Sequence, residues 1–382
     1  MTLLCKVSRK ELLKTLRNSA CPKKSHLPIL GYVGLRTINT KLQIISTNLE
    51  QGLIQDIPAK VENIVEIFCF PCHEVIKRIS KFKEGTLSLF YNEDSKKFIL
   101  EGNKIKIKFP TMPFEEFPSA PIIENKNASF DIPANLLQEY LNDLLAFVST
   151  ESTRYSLNGV YFGNRELMTT DGRKALIINT GTKNTEKMSC IIPVNTVSLL
   201  NKNKFPDNEN ISVTSGENFI RFACQGFTLV SRLIEGQFPD VHKVIPHSLD
   251  IEIPLPKAET IEFCKMFSGS GKEKRPSVRI CVNGKTTIHY KSEEFGTQAE
   301  KELSTIPLDL PGIEEINRWF NPSYLALVME TFKEKTLTMR TKQGEVISTP
   351  GGKEIISTPP IVIREENKTA ILMPMAAPEP VT

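Results

Sequence analysis

No stretch of the 382-residue sequence approaches the run of about eighteen apolar residues that a membrane-spanning helix needs. A membrane partner is therefore not expected. The opening MTLLCKVSRK already carries Lys6, Arg9 and Lys10, which breaks any secretory leader, so a cytoplasmic location is expected. Charge of one sign is also scarce: 48 basic against 44 acidic residues leave a formal charge of +4, which permits contact with a polyanion without by itself pointing to nucleic acid. The five histidines are scattered, which argues against a metal site. Cysteines number eight, at 5, 21, 69, 72, 190, 224, 264 and 281, mostly inside apolar patterns rather than in a short disulfide framework, so they are expected as reduced core residues. With 40% hydrophobic and 24% charged residues, the chain has the composition of an ordinary globular protein of two or three domains.

Two short motifs raise the possibility of catalysis. In EIFCFPCHEVIKRISKF, residues 66 to 82, Cys69 and Cys72 flank Pro71 between a strand-like and a helix-like run, the layout of a thiol oxidoreductase site. SGSGKEK, at 268 to 274, has the flavour of a phosphate loop, but Met266 stands where its first glycine should be and a helix rather than a strand precedes it.

Internal repetition accounts for the first motif. Pro71, Pro193 and Pro322, spaced by 122 and 129 residues, each separate a strand pattern from an amphipathic helix pattern, and each is expected at the first helical position. About 60 residues upstream of each lies another helix pattern, VSRKELLKTLRNS, IPANLLQEYLNDLL and LPKAETIEFCKMF, with Pro133 and Pro256 spaced by 123. Phe117-Pro118 and Phe238-Pro239 are 121 apart. Alternating strand runs fill the intervals, with Asn, Asp and Gly at the turns; Asp171-Gly172 is one such hairpin turn. The expected fold is α+β, one unit used three times, with domains 1–125, 126–248 and 249–382. Only the first copy has cysteines beside its proline, so Pro71 is explained as a helix starter.

The helices of the first repeat separate charge from apolar surface. Lys10, Lys14 and Arg17 share one face while Leu12, Leu13 and Leu16 occupy another. After Pro71, Val75, Ile76, Ile79 and Phe82 form a buried stripe opposite Lys77, Arg78 and Lys81. The equivalent helix of the second repeat carries Glu139 and Asp143 and no base. Lys202, Lys204, Lys265, Lys272, Lys274 and Arg275 add charge elsewhere.

Seven segments in order, LPILGYVGL, FEEFP, TRYSLNGVYF, TTDGRKAL, GQFPDVHKVIP, FNPSYL and AILMPM, resemble those of the bacterial DNA sliding clamp, the beta subunit of DNA polymerase III. The resemblance spans the whole chain. It implies three clamp-fold domains per subunit and a head-to-tail homodimer closing into a ring around double-stranded DNA. It also implies no catalytic residues, no cofactor or metal, and a cytoplasmic protein associated with the nucleoid. Implied partners are the replicative DNA polymerase, the ATP-dependent clamp loader and other proteins bearing a clamp-binding motif. The ring-lining faces would offer Lys10, Lys14, Arg17, Lys77 and Lys81 to phosphates, with Lys24, Arg154 and Tyr155 in loops matching DNA-touching positions. The dimer contact would join the edge strand holding Ile107 and Phe109 to a region near 266–275 of the other subunit, including Met266 and Phe267. The partner-peptide pocket would comprise Leu157, Thr170, Gly172, Arg173, Lys174, Ala175, Pro239, Lys243, Val244, Asn321, Tyr324, Ile371, Leu372, Met373, Pro374 and Met375. Leu157 and Ile371 read as strand core in any case, whereas adaptable methionines near the end suit a surface that accepts several peptides.

The sequence departs from the family pattern in three ways. Ala175 stands for a larger leucine and Lys174 for an arginine, which would widen the pocket. The chain continues past Met375 as AAPEPVT, residues 376–382. EVISTP at 345 and EIISTP at 354 look like a duplicated insertion, near 342–358. Two alternatives to a replicative clamp are an accessory or competitor copy that binds partners without encircling DNA and, resting on Cys69 and Cys72 alone, a thiol oxidoreductase.

Overall fold

The computed structural model describes all residues except 84, 120, 122, 124–125, 182–187, 206–207, 269–275, 293–294, 306–314, 345, 349–353, 357 and 377–382. One succession of elements runs three times along the chain. It begins with β1 (Thr2–Ser8), α1 (Arg9–Arg17), β2 (Tyr32–Ile38), β3 (Lys41–Thr47), β4 (Gln51–Val61), β5 (Phe68–Pro71), α2 (Cys72–Ile79), β6 (Thr86–Asn92), β7 (Lys97–Gly102), β8 (Ile105–Pro110) and the short β9 (Met112–Pro113). It returns as β10 (Ala128–Pro133), α3 (Ala134–Leu145), β11 (Gly159–Phe162), β12 (Glu166–Thr170), β13 (Lys174–Asn179), β14 (Cys190–Pro193), α4 (Val194–Lys202), β15 (Asn210–Ser215), β16 (Phe219–Cys224) and β17 (Phe227–Arg232). The last passage is β18 (Ile251–Pro256), α5 (Lys257–Phe267), β19 (Val278–Val282), β20 (Thr286–Lys291), β21 (Gln298–Glu302), β22 (Ile316–Phe320), α6 (Pro322–Glu330), β23 (Thr336–Thr341), β24 (Val346–Ser348), β25 (Glu354–Ile356), β26 (Ile361–Glu365) and β27 (Lys368–Leu372). The α+β class expected from patterning is the class observed. The extra pair β24 and β25 is the duplicated segment: its two copies pair antiparallel with each other, Ile347 opposite Ile355, as a separate two-stranded hairpin.

Two compact units are present, one of residues 1–142, 162–164 and 182–236, the other of 143–161, 165–181 and 237–382. In the first, a sheet runs β10-β15-β16-β17-β4-β1-β6-β7-β8, with β2, β3, β5 and β9 joined off this path. Leu12, Leu16, Val75 and Ile79 press the apolar faces of α1 and α2 onto Phe70 and Phe98, all buried, as the 3.6-residue period requires. Arg9 donates from Nε to the Ile79 carbonyl (3.1 Å) and from Nη2 to that of Ser80 (2.9 Å), satisfying carbonyls that the end of α2 leaves open. A second set of buried polar groups ties α4 to β4: Gln55 Nε2 donates to Asn203 Oδ1 (2.8 Å) and Gln51 Nε2 to Thr196 Oγ1 (2.7 Å).

In the second unit, β11-β12-β13-β27-β26-β23-β18 form one sheet and β21-β20-β19-β22 another. Both are antiparallel, so each strand alternates core and solvent faces.

The proline expectation needs correction. Pro71 and Pro193 are not the first helical residues; each ends the preceding strand and caps the helix from outside, with φ of −71° and −58°, as Pro256 also does at −68°. Pro133 likewise closes β10, opposite Asn210. The N-cap is non-helical and extended, which proline's fixed φ allows. Only Pro322 sits inside its helix, after Asn321, whose Oδ1 accepts from the Ser323 and Tyr324 amides.

Candidate functional site

Two cavities that share Arg173 and Met373 are built on the second unit. The more apolar one, about 290 Å³, opens where the β12–β13 turn meets the segment after β27 and the short helical turn Val241–Val244. That turn is made by Asp171, whose Oδ1 accepts from the amides of Arg173 (2.8 Å) and Lys174 (2.9 Å). Gly172 takes φ +87°, a left-handed conformation that disfavours a side chain, and a Cβ there would lie 2.9 Å from Arg154 Nη1. The sequence places an Asp-Gly turn here for both reasons. Its neighbour Lys174 is 6% exposed, its Nζ 2.8 Å from Asp171 Oδ2 and over the rings of Tyr324 and Phe147 at 4.9 and 5.6 Å. A buried ammonium with a carboxylate and two aromatic faces is tolerable; without them it is not.

The opposite wall is held by pairing rather than by packing alone. Ala175 faces Ile371 across β13 and β27, and the Met373 amide continues that ladder to the Arg173 carbonyl (2.8 Å). Two residues on, the Met375 amide donates to the Trp319 carbonyl (2.7 Å), and Pro374 between them has no amide to satisfy. The Met373–Met375 segment is thus tied at both ends. Met373 remains 36% exposed, and with Asn321, Tyr324, Pro374, Met375 and Ala376 it lines the second cavity, of about 410 Å³. The third side rests on Phe238, buried and stacked on Tyr161 at 5.3 Å, which sets Pro239 at the rim.

The structure therefore gathers Leu157, Thr170, Gly172, Arg173, Lys174, Ala175, Pro239, Val244, Ile371 and Met373 around one cavity, and Asn321, Tyr324, Pro374 and Met375 around the other. Two residues do not line either. Lys243 points to solvent and pairs with Asp240 at 3.5 Å, and Leu372 is fully buried on the other side of its strand. Leu157 is buried as expected, in a short 3₁₀ turn rather than a strand. Sequence reasoning missed Asp240 and Val241, although both stand in the GQFPDVHKVIP segment. Arg154, expected in a DNA-touching loop, contributes to the groove wall. Its neighbour Tyr155 is exposed.

In the first unit, Lys10, Lys14, Arg17, Lys24, Lys77 and Lys81 are all exposed, and α1 and α2 pack together. Asp143, one of the two acidic residues noted on α3, is paired with Lys368 at 2.7 Å. Lys265 pairs with Glu330, and Lys272, Lys274 and Arg275 lie outside the described residues, as does most of the phosphate-loop-like segment. The strand holding Ile107 and Phe109, β8, is the sheet edge, but Phe109 turns inward against Phe98. In the other unit Met266 is exposed while Phe267 stacks on Tyr290 at 3.9 Å; among the described residues the four-stranded sheet ends at β21 and β22, and the sequence did not single out β21.

The Cys69–Cys72 reading is overturned. Alternation along β5 places Cys69 in a small cluster with Ile45 and Phe117, whereas Cys72 joins the main core, so the thiols belong to different faces. Burial, with the negative charges of Glu115 and Glu116, pushes the Cys69 thiol up to about 12, which leaves it without a thiolate at neutral pH.

Residues 131–240 match the family model of the DNA polymerase III beta subunit, central domain. The "Beta sliding clamp" of Treponema pallidum is 25% identical over 363 residues, covering 89% of this chain and 95% of that protein. That of Caulobacter vibrioides is 24% identical over 333 residues, covering 84% and 88%. Among solved structures, a sliding clamp from Pseudomonas aeruginosa superimposes with a TM-score of 0.84 at 19% identity, covering 99% of this chain and all of that one. The DNA polymerase sliding clamp of Bacillus subtilis gives 0.82 at 18%, with the same coverage.

Proposed function

Starting from a chain related along most of its length to the bacterial DNA sliding clamps, we propose that it is a DNA polymerase processivity factor. It is a non-catalytic cytoplasmic subunit of three domains, near 1–125, 126–248 and 249–382, that closes with a second copy into a ring on double-stranded DNA. It slides without reading sequence and tethers the replicative DNA polymerase and other proteins that carry a clamp-binding motif. An ATP-dependent clamp loader opens it.

The groove carries this reading. Its apolar lining has the size that buries one or two large side chains, and its single buried cation is neutralised by Asp171. Such a site suits a short linear peptide.

Electrostatics supports the other two roles. The exposed bases of α1 and α2 supply non-specific phosphate attraction. For dimerisation, β8, an edge among the described residues, bears exposed Lys104, Lys106 and Lys108 on or beside it, and β21, likewise an edge among them, bears exposed Glu300 and Glu302, so the two edges attract. Joining them head to tail removes both unpaired edges at once.

The test is molar mass in solution combined with retention on circular against linear DNA. A dimer retained only on circles supports the ring; a stable monomer at micromolar concentration, or equal retention, removes it. Peptide binding without retention would instead favour the accessory copy, toward which Ala175 and Lys174 point.

A further inference from the structure

We propose that His242 and Glu166, neither of which lines either cavity, are positioning residues for the peptide groove: their contact sets the wall formed by the Val241–Val244 turn. The inference rests on the peptide-pocket reading above and makes the affinity of that site depend on a pair outside it.

The turn has little of its own to hold it. It is four residues of 3₁₀ helix, whose hydrogen-bond geometry is poorer than that of an α-helix. Asp240 Oδ1 accepts from the His242 amide at 3.2 Å, and the Ile245 amide donates to the His242 carbonyl at 3.1 Å, so both bonds close within the turn. The Lys243–Asp240 pair, at 3.5 Å, is local as well. Packing secures the near end, where Phe238 stacks on Tyr161 and Val241 is buried. At the far end Val244 lines the groove while 44% exposed.

His242 supplies a tie to the sheet. Its Nε2 lies 2.8 Å from Glu166 Oε2, and among the described residues this is the one hydrogen bond that leaves the turn. A carboxylate accepts, so Nε2 carries a hydrogen, which it can do whether the imidazole is neutral or charged. The tie therefore needs a donor rather than a charge. Glu166 opens β12, and the same strand ends at Thr170 in the groove, so one strand carries one wall and the socket for another. Ring and main chain of His242 together fix the stretch that contains Val244. Without the tie, a peptide has to order the turn as it binds, and that entropy is subtracted from its affinity. Both side chains are partly exposed, His242 by 50% and Glu166 by 32%, so the pair adds little to global stability.

The experiment measures binding of a fluorescent synthetic peptide with Leu and Phe anchors to the full chain, together with amide hydrogen exchange and the melting temperature. Glu166→Ala and His242→Ala should each weaken binding by about fivefold, and the double variant no further, because all three remove the same contact. His242→Gln, whose side-chain amide keeps a donor, should bind as the wild type does. Exchange should quicken at the His242 and Ile245 amides and not elsewhere, with the melting temperature unmoved. Additive losses, no rescue by Gln, or faster exchange spread over the whole chain would each overturn the proposal. Peptide binding by the wild type that either alanine variant matches overturns this proposal alone, whereas a wild-type chain that binds no peptide overturns the pocket reading with it.

Discussion

Lys174 Nζ lies 2.8 Å from Asp171 Oδ2 and 4.9 Å from the Tyr324 ring centroid, so the cation beneath the groove is neutralised from within its own turn and covered by the wall that a ligand would touch. Floor and wall are therefore coupled. Asp171→Ala would strand a buried ammonium and release two amides, and a loss of about 3 kcal/mol in stability is expected. Replacing both members, Asp171→Asn with Lys174→Met, should restore most of it. Urea unfolding of Asp171→Asn, Lys174→Met and the double variant measures this as a coupling energy.

Peptide affinity should depend on two side chains. Met373→Ala with Tyr324→Ala removes the partly exposed apolar walls, each worth about 1.5 to 3 kcal/mol to an anchor residue it buries. Titration of a clamp-binding peptide should show affinity falling by at least about tenfold, while Tyr324→Phe, which keeps the ring over Lys174, should change little. Equal affinity of wild type and double variant would place the partner site elsewhere.

DNA contact should separate Arg9 from its neighbours. Reversing Lys10, Lys14 and Arg17 to Glu should weaken DNA binding regardless of sequence and reduce the salt slope by about one unit for each phosphate that is no longer neutralised. Arg9→Ala should leave that slope alone and instead lower stability by about 1 kcal/mol, because its guanidinium is engaged with the Ile79 and Ser80 carbonyls. Salt titrations of binding and a melting curve distinguish the two effects.

The proposed dimer contact is open to a charge swap. Lys106→Glu with Lys108→Glu should raise the dimer dissociation constant, and adding Glu300→Lys and Glu302→Lys should recover it. Sedimentation equilibrium reads both, and failure of the second pair to compensate would dissociate β21 from the interface.

The buried amides offer a prediction independent of any partner. Asn203 accepts from Gln55 at Oδ1, donates from Nδ2 to the Leu199 carbonyl, and accepts from Gln138 at its main-chain carbonyl. Asn203→Ala strands the Gln55 amide inside the protein, and about 2 kcal/mol of stability should be lost, read as a lower melting temperature.

The sequence by itself determined the elements and their threefold order, because a period of 3.6 or 2 in apolar residues is a local property that survives into the packed state. Leu12, Leu16, Val75 and Ile79 could be named as core from spacing alone, and the Asp171-Gly172 turn from its chemistry. Most of the groove was legible too, but through family resemblance, since nothing local connects Thr170 with Met373. Only the folded structure shows which distant groups meet: Cys72 with Ser19, Arg154 with the groove, Asp143 with Lys368, and β21 as an edge. These depend on strand register and on the paths of loops. Chain-closure entropy and side-chain packing fix both only once the whole core has formed.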